Sequence, residues 1–276
     1  MKTILIFSMI LVVLVFLYHE NNTLSVRTID IKSSKIPDGF SGNIIVHLSD
    51  FHNKKIGNPK LIEAIKKVNP NIIVFTGDLI DSRLYNEEIA IGLLNEIRKI
   101  APVYYVTGNH EWRSGKYSRL RKRIENCKVT IVDDKYYKIN KGNDSIYIVG
   151  FDDPRKYSNE YKEYKQFEIK FKDVMNEIKD DKFKILLSHR PELFSLYSSQ
   201  NIDLVFSGHA HGGQVRLPFI GGLFSPHQGL FPKYTDGIYK KENSILIVSR
   251  GLGNSSIAPQ RLFNRPEIII VKLKNN

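Results

Sequence analysis

A chain of 276 residues with 42% hydrophobic and 25% charged side chains can form one large domain or two small ones. This composition excludes a chain that is too polar to form a hydrophobic core. The single cysteine, Cys127, excludes an internal disulfide and any zinc site built on a cysteine pair. The 41 basic residues against 29 acidic ones give a formal charge of +12, which suits a polyanionic substrate or an anionic membrane surface and equally a generic solvated face.

The N-terminus carries an apolar, uncharged run from Ile4 to Tyr18. With its flanks it approaches the about 17–25 residues that span a bilayer. No small-x-small cleavage site, twin arginine or lipobox cysteine follows it, so residues 1–20 are predicted to be an uncleaved single-pass anchor in the cell membrane. Lys2 and the cations beyond the run give opposing orientation signals, and the extracytoplasmic side is the expected one for the domain.

Residues 21–40 are predicted to be a polar stem that ends in a turn, and residues 41–276 to be one domain. In the first part of that domain, short β-rich runs at 43–48, 71–75 and 103–106 alternate with segments of helical spacing at 59–68, 87–100 and 117–126. This alternation indicates an α/β layer structure with several parallel strands.

The middle of the domain changes character. Strands are predicted at 129–132, 136–139 and 145–149, and a charged helix at 157–178. Strands at 183–187 and 204–206 enclose a segment at 191–197 with helical spacing, and the clearest late strands are 245–248 and 268–271. The loop 217–233, rich in Pro, Gly and Phe, is interpreted as packing on the domain rather than as a lip for an acyl chain.

Five short polar clusters follow predicted strands. In order they are Asp50-Phe51-His52, Gly77-Asp78, Gly108-Asn109-His110-Glu111, Ser188-His189 and Gly208-His209-Ala210-His211-Gly212-Gly213. Any one of them is more often a turn than a metal site, but five in succession after strands are hard to explain as turns. In open α/β sheets such strand ends converge on one crevice. The mixed oxygen and nitrogen donors, without thiolate, favour Mn, Fe, Zn or Co over Ca or Mg.

The first cluster and a late histidine invite more specific expectations. Asp50 and His52 are two positions apart, so an extended turn would direct both side chains the same way and let them hold one ion. His227 follows a proline and is interpreted as a loop residue.

These clusters resemble, in type and order, the signature motifs of the calcineurin-like metallophosphoesterase superfamily over roughly residues 43–217. The tail motifs Arg250-Gly251-Leu252-Gly253 and Arg265-Pro266-Glu267 resemble its membrane-associated bacterial branch, which includes enzymes similar to UDP-2,3-diacylglucosamine pyrophosphatase. The resemblance implies a four-layer α/β/β/α sandwich that holds two divalent ions, with Mn, Fe or Zn expected.

The resemblance also implies roles for single residues. The first ion would be held by Asp50, His52 and His211, the second by Asn109, His189 and His209, and both by Asp78. His110 would lie beside the scissile phosphate and, as imidazolium, assist the leaving oxygen. Arg113, next to that motif, is a candidate for neutralising phosphoryl charge, although a surface cation would look the same.

The leading hypothesis is therefore a hydrolase that cleaves phosphate ester or pyrophosphate bonds with a metal-bridging hydroxide, on a phosphorylated small molecule or lipid at the membrane. Two alternatives stay open. A nuclease or nucleotide phosphodiesterase would use the same site and the basic cluster Lys116, Arg119, Arg121, Lys122 and Arg123. A non-catalytic membrane scaffold would carry a degenerate site. Nucleic acid is not the expected partner, and a monomer is expected.

Overall fold

The structure is a computed structural model that describes residues 1–54, 58–157, 162–254 and 259–276. The described helices are α1 Lys2–Asn22, α2 Asn58–Val68, α3 Glu87–Ile97, α4 Asn109–Arg113, α5 Tyr117–Asn126, α6 Glu163–Glu177 and α7 Phe194–Ser198. The described strands are β1 Ser25–Lys32, β2 Ile44–Leu48, β3 Ile72–Thr76, β4 Val103–Val106, β5 Thr130–Ile131, β6 Lys135–Lys141, β7 Asp144–Gly150, β8 Lys184–Leu187, β9 Leu204–Ser207, β10 Arg216–Leu217, β11 Gly221–Gly222, β12 Phe224–Ser225, β13 Gly229–Leu230, β14 Gly237–Lys241, β15 Ser244–Val248 and β16 Glu267–Lys274.

Twelve of these strands form two six-stranded sheets. The first sheet has the order β1-β16-β2-β3-β4-β5 and the second has the order β14-β15-β9-β8-β7-β6. Neighbours from β2 to β5 run parallel, as do β7, β8, β9 and β15. Because parallel neighbours end at the same sheet edge, the polar residues that follow these strands are brought together.

The strand side chains alternate between two cores. In β3, Ile72 and Val74 face the core between the two sheets, whereas Ile73 and Phe75 face the helices on the outer side. The same alternation places Ile148 of β7 between the sheets. Central strands buried on both faces are typically continuous apolar runs, which is why these segments carry no polar alternation in the sequence.

Helices cover the outer face of each sheet. Leu61 of α2, Leu94 of α3 and Leu120 of α5 pack on the first sheet, in the core that also buries Cys127. Aromatic residues of α6 and α7 pack on the second sheet, among them Phe171. The layers therefore follow the order α/β/β/α, which confirms the predicted fold class.

The segment predicted to be a polar stem differs in the structure. Residues Ser25–Lys32 form β1, which pairs in parallel with β16 along its whole length. Ile29 and Ile31 are buried in the core between the sheets. The partner strand lies more than 240 positions away in the chain, so local sequence pattern carried no sign of this pairing.

The charged helix predicted at 157–178 is α6, Glu163–Glu177, and residues 158–161 lie outside the described residues. The loop predicted to pack on the domain forms two small hairpins, β10–β11 and β12–β13, and the side chains of Phe219, Phe224 and Phe231 are exposed. The packing interpretation of that loop was wrong.

Candidate metal centre

The backbone is unusual at the ends of the central strands. Asp50, His52, Asp78, His209 and His211 all have positive φ angles, between 47° and 67°. This left-handed region is sparsely populated by residues other than glycine, and such conformations concentrate at functional sites. The extended turn predicted for the first of these clusters was therefore wrong, because both of its polar residues are left-handed.

Four side chains from three strand ends form the first cluster. The Nε2 atom of His52 lies 3.1 Å from Nε2 of His211 and 3.6 Å from Oδ2 of Asp78. The Nε2 atom of His211 lies 3.5 Å from Oδ1 of Asp50. All four residues are buried, and their donor atoms lie close enough together to hold one ion.

A second cluster shares one member with the first. Oδ2 of Asp78 lies 3.2 Å from Nε2 of His189, which in turn lies 3.2 Å from Nδ1 of His209. Asp78, His189 and His209 can together hold one ion. Asp78 thus reaches both clusters, at the position where a carboxylate can bridge two cations.

The remaining donor, Asn109, offers a test of whether a cation fits. Its Oδ1 atom is buried and, within the described part of the chain, has no hydrogen-bond partner. A buried amide oxygen left without a donor costs free energy unless something else satisfies it. The next residue, His110, donates its backbone N–H to Oδ1 of Asp78 at 2.8 Å, so a cation bound beside Asp78 could satisfy this oxygen. An amide oxygen is a hard ligand of the kind that divalent ions accept.

The protonation of three of the four imidazoles also suits a metal site. Burial lowers the pKa of His52 to about 3 and lowers the pKa values of His209 and His211 well below their usual range. These rings are therefore neutral at pH 7, the form that binds metal. Burial opposes the charged form of His189 as well, but Asp78 and Asp50 outweigh it and raise its pKa to about 10.

Partners behind the donors fix their orientation. Nδ1 of His189 lies 2.6 Å from the carbonyl oxygen of Thr76, so it donates its proton there and its Nε2 atom faces Asp78. The carboxylate of Asp50 accepts the backbone N–H of His209 at 3.0 Å. The two sheets are thus connected directly at the site.

Glu111 holds two of the loops in place, a role that the sequence did not suggest although the residue lies inside a recognised motif. It is fully buried, and its two carboxylate oxygens accept backbone N–H groups at 2.7–3.3 Å. The donors are the N–H groups of Asp78, Leu79, Ile80 and Gly108.

A buried ion pair supports the second cluster, and sequence reasoning missed it too. Arg190 is fully buried and binds both carboxylate oxygens of Asp153, with Nε at 2.5 Å and Nη2 at 2.9 Å. Its Nη1 atom lies 2.7 Å from Nδ1 of His227, which lies 3.0 Å from Nε2 of His209. The only signals in the sequence were that Asp153 follows β7 and that Arg190 follows a metal-ligand candidate.

His110 lies beside the first cluster, with its ring 4.6 Å from the ring of His52. Its Nδ1 atom accepts the backbone N–H of Ser82 at 3.0 Å. A backbone N–H can only donate, so Nδ1 carries no proton and the ring proton is on Nε2. The structure therefore holds His110 as the neutral Nε2–H tautomer rather than as the predicted imidazolium.

Arg113 is the last residue of α4, and its side chain is exposed. Its charge contributes to the lowered pKa of His227, after burial and the closer Arg190.

Asn264 connects the end of α1 to a metal-ligand candidate. This fully buried residue donates its backbone N–H to Oε2 of Glu20, at the end of α1, at 3.0 Å. Its Nδ2 atom donates to the carbonyl oxygens of His211 at 2.7 Å and Gln214 at 2.8 Å.

The first tail motif packs directly on the site. Gly251 has a φ of +74°, and a Cβ atom there would lie 2.6 Å from Cβ of Asp50, so the close approach requires glycine. The residue before it, Arg250, pairs with Asp236.

Asp236 lies among three arginines. Its carboxylate is 2.8 Å from Nη2 of Arg250, 2.7 Å from Nη1 of Arg216 and 3.1 Å from Nη2 of Arg27. Burial opposes ionisation of Asp236, but these arginines outweigh it and hold its pKa below the usual 3.8. The cluster connects β1 to the segments around β10 and β15.

Four buried imidazoles, two carboxylates and an amide oxygen, at the ends of parallel strands in two mixed sheets, define a metal-dependent hydrolase. Residues 44–213 match the calcineurin-like phosphoesterase family, and the chain belongs to that family. It is a hydrolase that acts on phosphoester bonds, with a cluster of residues suited to divalent metal ions.

Three known proteins illustrate the similarity. An uncharacterised metallophosphoesterase, YkuE of Bacillus subtilis, is 29% identical over 265 residues, which cover 94% of this chain and 88% of that protein. A transmembrane protein with metallophosphoesterase domain from Danio rerio is 26% identical over 89% of this chain and 56% of its own length. The crystal structure of a phosphopantetheinyl hydrolase from Mycobacterium tuberculosis has a TM-score of 0.52 at 12% identity, covers 76% of this chain and 89% of its own, and shows the shared fold alone.

Proposed function

We propose that the chain is a membrane-anchored phosphoesterase that uses two divalent ions to hydrolyse phosphate ester or pyrophosphate bonds in lipid-linked substrates. The observation that carries the proposal is Asp78, a buried carboxylate within contact distance of donors from both clusters. A carboxylate in this position can bridge two ions, and dinuclear sites are the common solution for phosphoester hydrolysis.

Two divalent ions bound at these clusters would activate a water molecule and neutralise charge on the phosphoryl group. Asp50, His52 and His211 would hold one ion, and Asn109, His189 and His209 the other, with Asp78 shared. The neutral ring of His110 would present its Nε2–H as a hydrogen-bond donor to the leaving oxygen. Arg113 would contribute positive charge at the rim of the site.

Three observations support the membrane location. Helix α1 is long and apolar enough to cross a bilayer. The Danio rerio relative is named a transmembrane protein. Residues at the end of α1 are held by the domain, with Glu20 buried and Oδ1 of Asn21 accepting the backbone N–H of Arg261 at 2.7 Å. A segment so tightly bound is more consistent with an uncleaved anchor than with a removed signal, and the extracytoplasmic side is proposed for the domain.

The alternative of a nucleic-acid substrate loses its main support in the structure. The arginines of the basic cluster on α5 are paired with acidic side chains. Arg119 binds Glu87, Arg121 binds Asp133 at 2.7 Å, and Arg123 binds Glu87 at 2.8 Å. Charges already matched in this way offer less attraction to a phosphate backbone. Membership of a hydrolase family argues against the scaffold alternative.

The test is an activity assay of the full chain loaded with Mn²⁺, using bis-p-nitrophenyl phosphate, with the Asp78→Ala variant as control. Turnover that depends on the ion and on Asp78 is expected. Absence of turnover at full metal loading would favour the scaffold. A panel of lipid phosphates assayed beside single-stranded DNA distinguishes substrates, and preference for the DNA would refute the lipid proposal.

A further inference from the structure

The exposed apolar side chains outside the membrane helix are not scattered. Among the described residues beyond Leu24, ten large apolar side chains are exposed. Five of them lie between Phe219 and Phe231, and a sixth is Phe263. Single exposed apolar residues are normal on soluble proteins, whereas a concentrated group marks a surface that something else covers.

Part of this group forms one continuous surface with the membrane helix. Phe219, Ile220 and Phe263 line a common shallow depression together with the half-buried Leu217, and these four residues are here called the apolar lip. The ring of Phe263 packs on the ring of Phe16 in α1, with centroids 5.4 Å apart. The lip is therefore a direct lateral extension of the helix that would enter a bilayer.

Hydrogen bonds keep the helix and the lip at fixed positions. Nε2 of Gln260 donates to the carbonyl oxygen of Leu17 at 3.1 Å, and Nδ2 of Asn21 donates to Oε1 of Gln260 at 3.1 Å. The strand that begins the lip is tied to the same region, because the backbone N–H of Arg216 donates to the carbonyl oxygen of Leu262 at 3.0 Å. Neither element can be placed at a bilayer without the other.

Cations border this surface. Lys233 is exposed just beyond the hairpins, and the half-exposed Arg265 lies next to Glu20 at the end of α1. Basic side chains at the level where an apolar surface meets water are attracted to anionic head groups.

We propose that the apolar lip is a second membrane contact, inserted into the head-group region of the same bilayer that α1 crosses. The occupant of the lip is thus the lipid surface itself. Amphipathic elements of this kind bury their apolar side about 5–10 Å into the boundary between head groups and acyl chains.

The contact would also set the position of the site. The next hairpin after the one that carries Phe219 carries His227, whose Nδ1 atom lies 3.0 Å from Nε2 of the metal-ligand candidate His209. Strand β10 begins five residues after His211. A bilayer-bound lip therefore keeps the mouth of the site at the level of the head groups.

The test measures lipid contact and not catalysis. The full-length Phe219→Cys variant is labelled with an environment-sensitive fluorophore and reconstituted in vesicles that contain phosphatidylglycerol and a lipid with a nitroxide at shallow depth. The wild-type chain is the blank, because its one cysteine, Cys127, is buried. Ile169→Cys is the matched control, since Ile169 is an exposed apolar residue on α6 in the outer layer.

We expect blue-shifted emission and loss of fluorescence to the nitroxide for the label at position 219, and neither for the label at position 169. Phe263→Cys gives a second reading if the first variant does not fold. Equal quenching at the two positions would overturn the proposal. So would a spectral shift that depends on protein concentration and not on the nitroxide, because a second copy of the chain would then cover the lip. Either result leaves the phosphoesterase assignment intact.

Discussion

Replacing Glu111 by glutamine tests whether one carboxylate holds the two ligand-bearing loops together. An amide keeps the shape of the side chain but replaces one acceptor oxygen with a donor NH₂ group. Each oxygen of Glu111 now accepts two backbone N–H groups, so either orientation of the amide leaves two buried donors facing another donor.

The expected loss of stability follows from that count. Leaving a buried donor unsatisfied costs about 1–3 kcal/mol, so two of them cost roughly 2–6 kcal/mol. This is a large part of the about 5–15 kcal/mol by which a typical domain is stable. For a chain of this size, the loss corresponds to a fall in melting temperature of at least about 4 °C.

The assay is thermal unfolding of the full chain in detergent micelles, followed by circular dichroism, with bound metal measured on the same samples. Glu125→Gln is the control, because Glu125 is a half-exposed residue paired with Arg121 on the surface of α5. Loss of this surface ion pair should change the free energy of unfolding by less than about 1 kcal/mol. If Glu111→Gln melts at the same temperature as the control, the carboxylate does not hold the loops.

Three further predictions concern the site and its surroundings. Asp78→Ala should lower kcat/KM and metal stoichiometry more than His209→Ala, because Asp78 reaches both clusters; equal losses would contradict a shared ligand. His110→Ala should lower kcat by roughly 10²–10⁴-fold while bound metal, measured by mass spectrometry, is unchanged; a fall in metal content would make His110 a ligand. The depressed pKa of Asp236 stabilises the fold above pH 3.8, and this contribution is lost as pH falls through the lower folded pKa. Chemical unfolding of Asp236→Asn should show a shallower loss of stability in acid, and an unchanged slope would show that Asp236 does not contribute.

Most of the donors at the site could be predicted from the sequence, because each lies in a short motif directly after a predicted strand. Each donor group follows the end of a buried strand by two to four residues, and the ends of parallel strands meet at one edge of a sheet. The motifs at Asp78 and His209 could therefore be placed together without knowing the tertiary contacts. The resemblance then supplied the division of the donors into two sets.

The supporting groups could not be found in that way. Arg190 pairs with Asp153 across two strands, and Asn264 reaches His211 from 53 positions further along the chain. Such contacts depend on which elements become neighbours, which no local spacing reveals. The apolar lip was misjudged for a related reason, since phenylalanines in a Pro- and Gly-rich loop are usually buried, and the sequence did not indicate that α1 would lie beside them.

The short connection between α1 and β1 limits how far the catalytic domain can move relative to the helix. Only Thr23 and Leu24 separate the end of the helix from the first strand of the sheet. A domain joined to its anchor by a long flexible linker could reach substrates over a range of distances from a bilayer. If α1 crosses a bilayer as proposed, the domain would stay close to the membrane surface, and a lipid-linked substrate would have to reach it by lateral diffusion.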